Sequence, residues 1–274
     1  MTRLDIDIVD AFTDRQFRGN SAAVVITESW LSDSLMQNIA GENNLSETAF
    51  LVPQSGVYHV RWFSPLTEID FCGHATLAAA HVLFRRMPAM KTLRFYAPAV
   101  GEMEIRLNEK GLIEMDFPVR MPAPITDVPK ALLRGLSIAP TKVLRNAQAY
   151  FAVYSKESDV MELNPDAGEL KRLAPYDVVV TAPGSEFDFV SRYFWPANGG
   201  DEDPVTGSIH TGLAPYWSAE LDKTSLRAYQ ASKRGGLLYC ELRGERITIA
   251  GQAVSYLQGQ LMIQETDHLI EKVD

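Results

Sequence analysis

The sequence predicts an α+β fold of two similar lobes, and three observations carry that prediction. Arg61-Trp62-Phe63-Ser64-Pro65 in the first half is echoed by Arg192-Tyr193-Phe194-Trp195-Pro196 in the second. Each Arg-aromatic-Phe-x-Pro unit reads as a strand ending in proline, followed by a polar loop and then a glycine, Gly73 or Gly207, that opens an apolar run. The two copies lie nearly half the chain apart, as a repeated structural unit requires. The Ala- and Leu-rich run 73–84 reads as a buried helix. Free N–H groups and the positive end of the helix dipole make such an N-terminus an anion site. Two such starts, at Gly73 and Gly207, are expected to face each other across a cleft.

Taken in order, residues 4–12 alternate apolar and acidic side chains, the pattern of a half-exposed strand. Phe17-Arg18-Gly19-Asn20-Ser21 is turn chemistry, and 22–26 is a second strand. Ser32 caps a helix with Leu35, Met36, Ile39 and Ala40 on one face, ended by Glu42-Asn43-Asn44. Leu45-Ser46-Glu47-Thr48 leads into a strand through Val52, with Glu47 at its mouth. Residues 57–63 form the strand that feeds the Gly73 helix. Strands follow at 92–96, 101–107 and 112–117, the last two joined by a hairpin loop at Asn108-Glu109-Lys110-Gly111.

Four prolines between Pro118 and Pro129 mark 119–128 as a linker, so 1–118 is the first lobe and 129–263 the second. The C-terminal end is expected to return to the first lobe. Pro129 starts a short helix to Leu136, and Asn164-Pro165 starts another through Leu173. Strands are expected at 143–154 (interrupted near Asn146), 178–181 and 187–194, then the second central helix from Gly207. The ending is β-rich, at 226–231, 236–241, 246–250 and 254–263.

At 274 residues the chain suits roughly two domains. Its net charge of −9 argues against nucleic acid, whose phosphates need a basic face. Two cysteines, Cys72 and Cys240, make no disulfide framework and suit a reducing compartment. The acidic start lacks the apolar stretch of a signal peptide, and the longest apolar run falls short of the ~20 residues of a membrane span. The expectation is a cytoplasmic protein without membrane or nucleic-acid partners.

Glu47 is the first candidate for a general acid/base, because burial tunes a carboxylate toward neutrality. A solvent-facing glutamate at a strand start, or a capping one, would look the same. Asp203 follows Asp201 and Glu202 just before a helix, where carboxylates stabilise the N-terminus. Alternatively it binds a substrate amine or shares proton transfer with Glu47. His74 and Ser208 follow the two glycines and are candidate donors to a substrate carboxylate. Cys72, at a helix N-terminus, is a candidate base or nucleophile. A two-thiol racemase would need a partner at the other helix, where Thr206 stands instead. Cys240 lies within a strand. His59, His81 and His268 show no metal-ligand spacing, and no nucleotide-binding or nucleophile-elbow motif occurs, so neither metal nor cofactor is expected.

Asn44-Leu45-Ser46-Glu47-Thr48-Ala49-Phe50, Cys72-Gly73-His74-Ala75-Thr76-Leu77-Ala78 and Glu202-Asp203-Pro204-Val205-Thr206-Gly207-Ser208-Ile209-His210 closely resemble the phenazine-biosynthesis PhzF-like family. Phe17-Arg18-Gly19-Asn20 and Ser232-Lys233-Arg234-Gly235-Gly236 fit as well, with Ser21 standing where that family has proline. The resemblance implies a diaminopimelate-epimerase-like fold: two lobes, each a strongly curved, mostly antiparallel sheet or barrel around a central helix, with the active site between them. It implies a cofactor-independent isomerase acting on a small-molecule carboxylate. Glu47 would be the acid/base, with His74, Asp203 and Ser208 lining the site and Gly73 and Gly207 at the helix starts. Cys72 matches the first thiol position of related epimerases, and Thr206 replaces the second. A homodimer is also implied. The alternatives are a racemase or epimerase using Cys72, and a metabolite-binding or scaffold protein without turnover.

Overall fold

The computed structural model describes residues 1–264; His268 lies outside the described residues. The chain divides into two compact units, Met1–Asp116, to which the chain returns from Gly251, and Phe117–Ala250.

The first unit contains Thr2–Ala11 (β1), Asn20–Ile26 (β2), Asp33–Asn43 (α1), Glu47–Gln54 (β3), Val57–Phe63 (β4), Glu68–Ile69 (β5), Gly73–Arg86 (α2), Thr92–Ala97 (β6), Gly101–Leu107 (β7) and Ile113–Pro118 (β8). The helix boundaries follow local chemistry. Ser32 Oγ accepts from the Leu35 N–H at 3.3 Å, and Asn44, with φ 47°, ends α1 in the left-handed conformation that asparagine tolerates. Helix α2 is buried almost all round, which is why its residues are small or apolar on every face.

In the sheet, β2 and β3 are parallel, joined across α1, and β4 and β6 are parallel, joined across α2. Parallel neighbours need a crossover of this kind, whereas the antiparallel pairs β1–β2, β3–β4, β4–β5, β6–β7 and β7–β8 are joined by shorter connections. The last strand of the chain, Ala253–Ile263, lies antiparallel on β1.

The second unit contains Ala123–Pro124 (β9), Lys130–Gly135 (α3), Lys142–Arg145 (β10), Ala149–Val153 (β11), Glu157–Glu162 (α4), Ala167–Leu170 (α5), Asp177–Pro183 (β12), Phe189–Trp195 (β13), Gly200–Asp203 (β14), His210–Leu221 (α6), Ser225–Gln230 (β15), Gly236–Arg243 (β16) and Arg246–Gly251 (β17). Its pairings run β9–β10 and β10–β11 antiparallel, β11–β12 parallel, β12–β13 and β13–β14 antiparallel, β13–β15 parallel, then β15–β16 and β16–β17 antiparallel. That order repeats the first unit strand for strand, with the chain's last strand standing to β1 as β9 stands to β10.

The repeat extends to side chains. Arg61 grips Glu68 through Nε (2.6 Å) and Nη2 (2.5 Å), and Arg192 grips Glu202 through Nε (2.8 Å) and Nη2 (3.0 Å). Each guanidinium also covers a phenylalanine of its own strand, Phe63 at 5.2 Å and Phe194 at 5.1 Å. The echoed Arg-aromatic-Phe unit thus clamps the short return strand that precedes each central helix.

Several boundaries differ from the sequence expectation. The second central helix begins at His210, not Gly207; Gly207–Ile209 form a tighter turn, with the N–H of His210 and Thr211 reaching the carbonyls of Gly207 and Ser208. Residues 200–203, read as loop, form β14. The cap of α5 is Asp166, whose side chain accepts from the Glu169 N–H, rather than Asn164, and Pro129 sits at the cap of α3 rather than inside it. Helix α4 carries no strong periodic signal and was not anticipated.

Residues 119–128, read as a linker, are bound into the second unit. Proline at position 215 of α6 has no N–H for the Thr211 carbonyl, and the Arg120 N–H supplies it at 2.9 Å. The Arg120 carbonyl in turn accepts from Asn146 Nδ2 at 3.0 Å. This segment crosses α6 at Gly212, where a Cβ would stand 2.7 Å from Phe151 Cζ and 3.1 Å from the Arg120 carbonyl oxygen. Gly212→Ala is therefore expected to lower stability by about 1–3 kcal/mol through overpacking, read as a lower urea midpoint without a change of slope.

Candidate active site

In the first unit, β3 starts and α2 starts come together. Glu47 is the first residue of β3, and Cys72 is the N-cap of α2, followed by Gly73 and His74. All three side chains are buried, at 6%, 7% and 4% exposure for Glu47, Cys72 and His74. Glu47 Oε2 stands 2.9 Å from His74 Nε2, and Cys72 Sγ stands 3.4 Å from His74 Nδ1. The Glu47–His74 contact is a charge contact and not an aligned hydrogen bond, so Glu47 Oε2 is buried with no hydrogen-bond partner.

Two residues behind the cluster escaped sequence reasoning. Asn20 Nδ2 lies 3.2 Å from His74 Nδ1, and Ser46 Oγ donates to Asn20 Oδ1 at 2.9 Å. Asn20 is delivered by the turn before β2. There Gly19 has φ +65°, and a Cβ would stand 2.0 Å from the Ala11 carbonyl oxygen, so only glycine fits. Ser21 closes this turn by donating to Asp10, which also accepts the Phe17 N–H at 2.8 Å.

The electrostatics follow from burial and proximity. Burial pushes the Cys72 thiol up to about 11, with the Glu47 charge adding and His74 offsetting, so the thiol is protonated near neutrality. Burial by itself would lower His74, but the neighbouring Cys72 and Glu47 outweigh it and hold the imidazole well above its ordinary value. Burial lowers His81 and His210 to about 4 each, Arg85 contributing at His81.

In the second unit, Asp203 ends β14 and is buried, accepting from Thr206 Oγ1. Gln230, fully buried on β15, staples this turn: its Oε1 accepts from the Thr206 N–H at 2.9 Å, while its Nε2 donates to the Asp203 carbonyl at 2.9 Å. Ser232 Oγ donates to the Pro204 carbonyl at 2.8 Å, which explains the Ser232–Gly236 motif as an anchor for the same loop. Ser208 Oγ accepts from Gln148 Nε2 at 2.9 Å; Gln148 Nε2 also donates to Tyr193 Oη at 3.0 Å, and Tyr193 Oη donates to Asp177 at 2.5 Å. Because Gln148 donates to Ser208, the Ser208 hydroxyl proton is left to point elsewhere, as a donor. Among the described residues, the backbone N–H groups of Gly73 and His74, and of Gly207, Ser208 and Ile209, meet no acceptor.

Glu47, Cys72 and His74 each offer one metal-ligating atom, all within 4.8 Å of one another. Histidine spacing in the sequence could not show this cluster, because its glutamate comes from a different element. Among the described residues no helix is long and apolar enough to cross a membrane.

A repeated α+β chain with a buried carboxylate–imidazole–thiol cluster at a central helix start belongs with the epimerase-like folds. A hydroxyproline epimerase from Agrobacterium vitis, 10% identical, shares the fold with a TM-score of 0.58 over 94% of this chain and 92% of its own. Residues 9–259 match the family model for phenazine biosynthesis-like proteins, and the chain belongs to that family, PhzC-PhzF. It is 47% identical to a Pseudomonas aeruginosa protein named an uncharacterized isomerase, over 94% of this chain and 98% of the relative. The crystal structure of a PhzF-family phenazine biosynthesis protein from Enterococcus faecalis, 42% identical, superimposes with a TM-score of 0.91 over 96% of this chain and all of that one.

The buried histidines His74 and His210 and the half-buried His81 should separate by NMR: His74 is expected to titrate above its ordinary 6.5, while His81 and His210 stay neutral down to about pH 4. Because the folded pKa of His74 is raised, its stabilising contribution is complete below the unfolded value of about 6.5 and is lost as pH rises through the folded one. The stability difference between the wild type and His74→Gln should therefore shrink as pH is raised from 6 to 9, in chemical unfolding at each pH.

Proposed function

We propose that the chain is an isomerase that shifts a proton within a small carboxylate substrate, with Glu47 as general acid/base. The observation that carries this reading is the buried, unpartnered Oε2 of Glu47 held 2.9 Å from His74. Family membership and the isomerase name of the P. aeruginosa relative support the reaction class.

In this reading Glu47 breaks a C–H bond next to an activating group and takes the proton. The electron pair delocalises into the adjacent unsaturated system, and Glu47 returns the proton to a different carbon. His74 stands 2.9 Å from the Glu47 oxygen that handles the proton and orients it. The unpartnered N–H groups at Gly73 and His74 bind the substrate carboxylate and the charge that develops on it. Donors of this kind are worth about 2.7–4 kcal/mol each when lost. Ser208 adds its hydroxyl as a donor, Asp203 binds the substrate's polar or amine group, and Cys72 lines the site as a neutral thiol. The racemase reading is less well supported, because its thiol is held protonated and Thr206 stands at the second thiol position.

The test is deuterium uptake from heavy water into small carboxylates that raise the melting temperature of the protein. Glu47→Gln is expected to cut uptake by about 10²–10⁴-fold with the fold intact. Undiminished uptake would remove Glu47 from the mechanism, and stabilising ligands that never exchange would favour a binding protein. Gln148→Leu, which frees the Ser208 hydroxyl to turn, is expected to raise KM about fivefold, the loss of roughly 1 kcal/mol of oriented hydrogen bonding, with a smaller change in kcat.

A further inference from the structure

A thiol, an imidazole and a carboxylate gathered in one buried place are also a zinc ligand set. We propose that Glu47, Cys72 and His74 form a Zn²⁺ site, through Oε2, Sγ and Nε2, and that zinc bound there blocks the proton shuttle by occupying its base. The proposal shares these residues with the isomerase reading, but zinc binding can be measured without any substrate.

The geometry suits the ion. Tetrahedral zinc, with bonds of about 2.3 Å to sulfur and about 2.0–2.2 Å to nitrogen and oxygen, sets its ligand atoms roughly 3.3–3.6 Å apart. Here Oε2 and Nε2 are 2.9 Å apart, and Sγ and Nε2 are 3.9 Å apart. The Oε2–Nε2 pair must open and the Sγ–Nε2 pair close by a few tenths of an ångström, and the third pair, Sγ and Oε2, starts within 4.8 Å, so side-chain torsions must bring the three atoms together. Zinc would replace the Glu47–His74 contact, with Nε2 giving up its proton, and Glu47 Oε2 has no other hydrogen bond to break. Three protein ligands leave the fourth tetrahedral position for water.

The surroundings also suit it. A histidine that ligates through Nε2 must carry its proton on Nδ1 and normally donates it to a carbonyl oxygen. Asn20 sits 3.2 Å from Nδ1, and the amide can turn over to present Oδ1 there instead of Nδ2. Its Nδ2 then meets Ser46 Oγ, now 2.9 Å from Asn20 Oδ1, and the hydroxyl accepts as readily as it donates. In that orientation Asn20 accepts from His74 Nδ1 and Ser46 Oγ accepts from Asn20 Nδ2. Nothing similar surrounds the other thiol: Cys240 is buried within β16, flanked by Tyr239 and Glu241 on the strand, and belongs to no such cluster among the described residues.

The experiment is a titration of the purified, metal-free protein with Co²⁺ and then Zn²⁺. One equivalent of Co²⁺ should give a near-ultraviolet thiolate-to-cobalt absorption band, and Zn²⁺ should displace it. The band should vanish in Cys72→Ala and persist in Cys240→Ala, and Glu47→Gln and His74→Gln should each weaken Co²⁺ binding tenfold or more. Wild-type protein loaded with one Zn²⁺ should show one sulfur at about 2.3 Å by X-ray absorption, a readout that needs no variant. Absence of the band and of that sulfur in the wild type would overturn the proposal, as would their persistence in Cys72→Ala. If zinc binds as described but Glu47→Gln still exchanges deuterium, the isomerase reading fails and the metal site stands. If exchange depends on Glu47 and no thiolate band appears, the metal site alone fails.

Discussion

Keeping a carboxylate and an imidazole together out of water is the constraint around which the first unit is built. Removing either ion from water costs several kcal/mol unless the other compensates it. The Glu47–His74 contact meets that condition while leaving Oε2 without a hydrogen bond. Everything near it serves placement: β3 begins at Glu47, α2 begins one residue after Cys72, and the Gly19 turn brings Asn20 against the imidazole. A carboxylate tied up by two or three aligned donors would be a stable structural feature and a poor base.

The duplicated architecture explains how such a placement is achieved from short strands. In each unit an arginine at the middle of a strand holds a glutamate on the short return strand, and the central helix follows within a few residues. The clamp fixes where the helix starts relative to the sheet. The two copies have diverged at the residues that carry chemistry. Cys72-Gly73-His74 in one stands where Thr206-Gly207-Ser208 stands in the other, so one unit carries a charged cluster and the other a neutral hydroxyl oriented by Gln148. Two uncharged donors suit recognition of an anion, while a carboxylate with an imidazolium suits moving a proton.

Much of this was legible in the chain. Strand and helix positions in the first unit follow from apolar alternation and from the Ser32 cap, and the repeat is visible in the Arg-aromatic-Phe-x-Pro echo. His74 and Ser208 stand out by residue type and by position beside a glycine, Glu47 by its place at the mouth of a strand, and Asp203 by its place just before a helix. The supporting residues do not, because Gln148, Gln230, Asn20 and Ser46 are uncharged amides and hydroxyls of a kind that populates any surface. Their role rests on which polar atom each one reaches, and that depends on strands far apart in sequence. The segment 119–128 was misjudged for a related reason: prolines signal a break in regular structure, but a proline inside α6 also left the Thr211 carbonyl in need of a donor, and the Arg120 N–H met it.

By itself the sequence determined the duplication, the glycine that opens α2 and the types of side chain available beside it, since periodicity and composition act over a few neighbouring residues. Only the tertiary structure decided that Glu47 Oε2 would stand bare beside His74 and that the Cys72 thiol would be held protonated. Hydrogen bonding and desolvation depend on the atoms within a few ångströms in space, and those atoms come from a strand and a helix start, with Glu47 25 positions before Cys72 and 27 before His74.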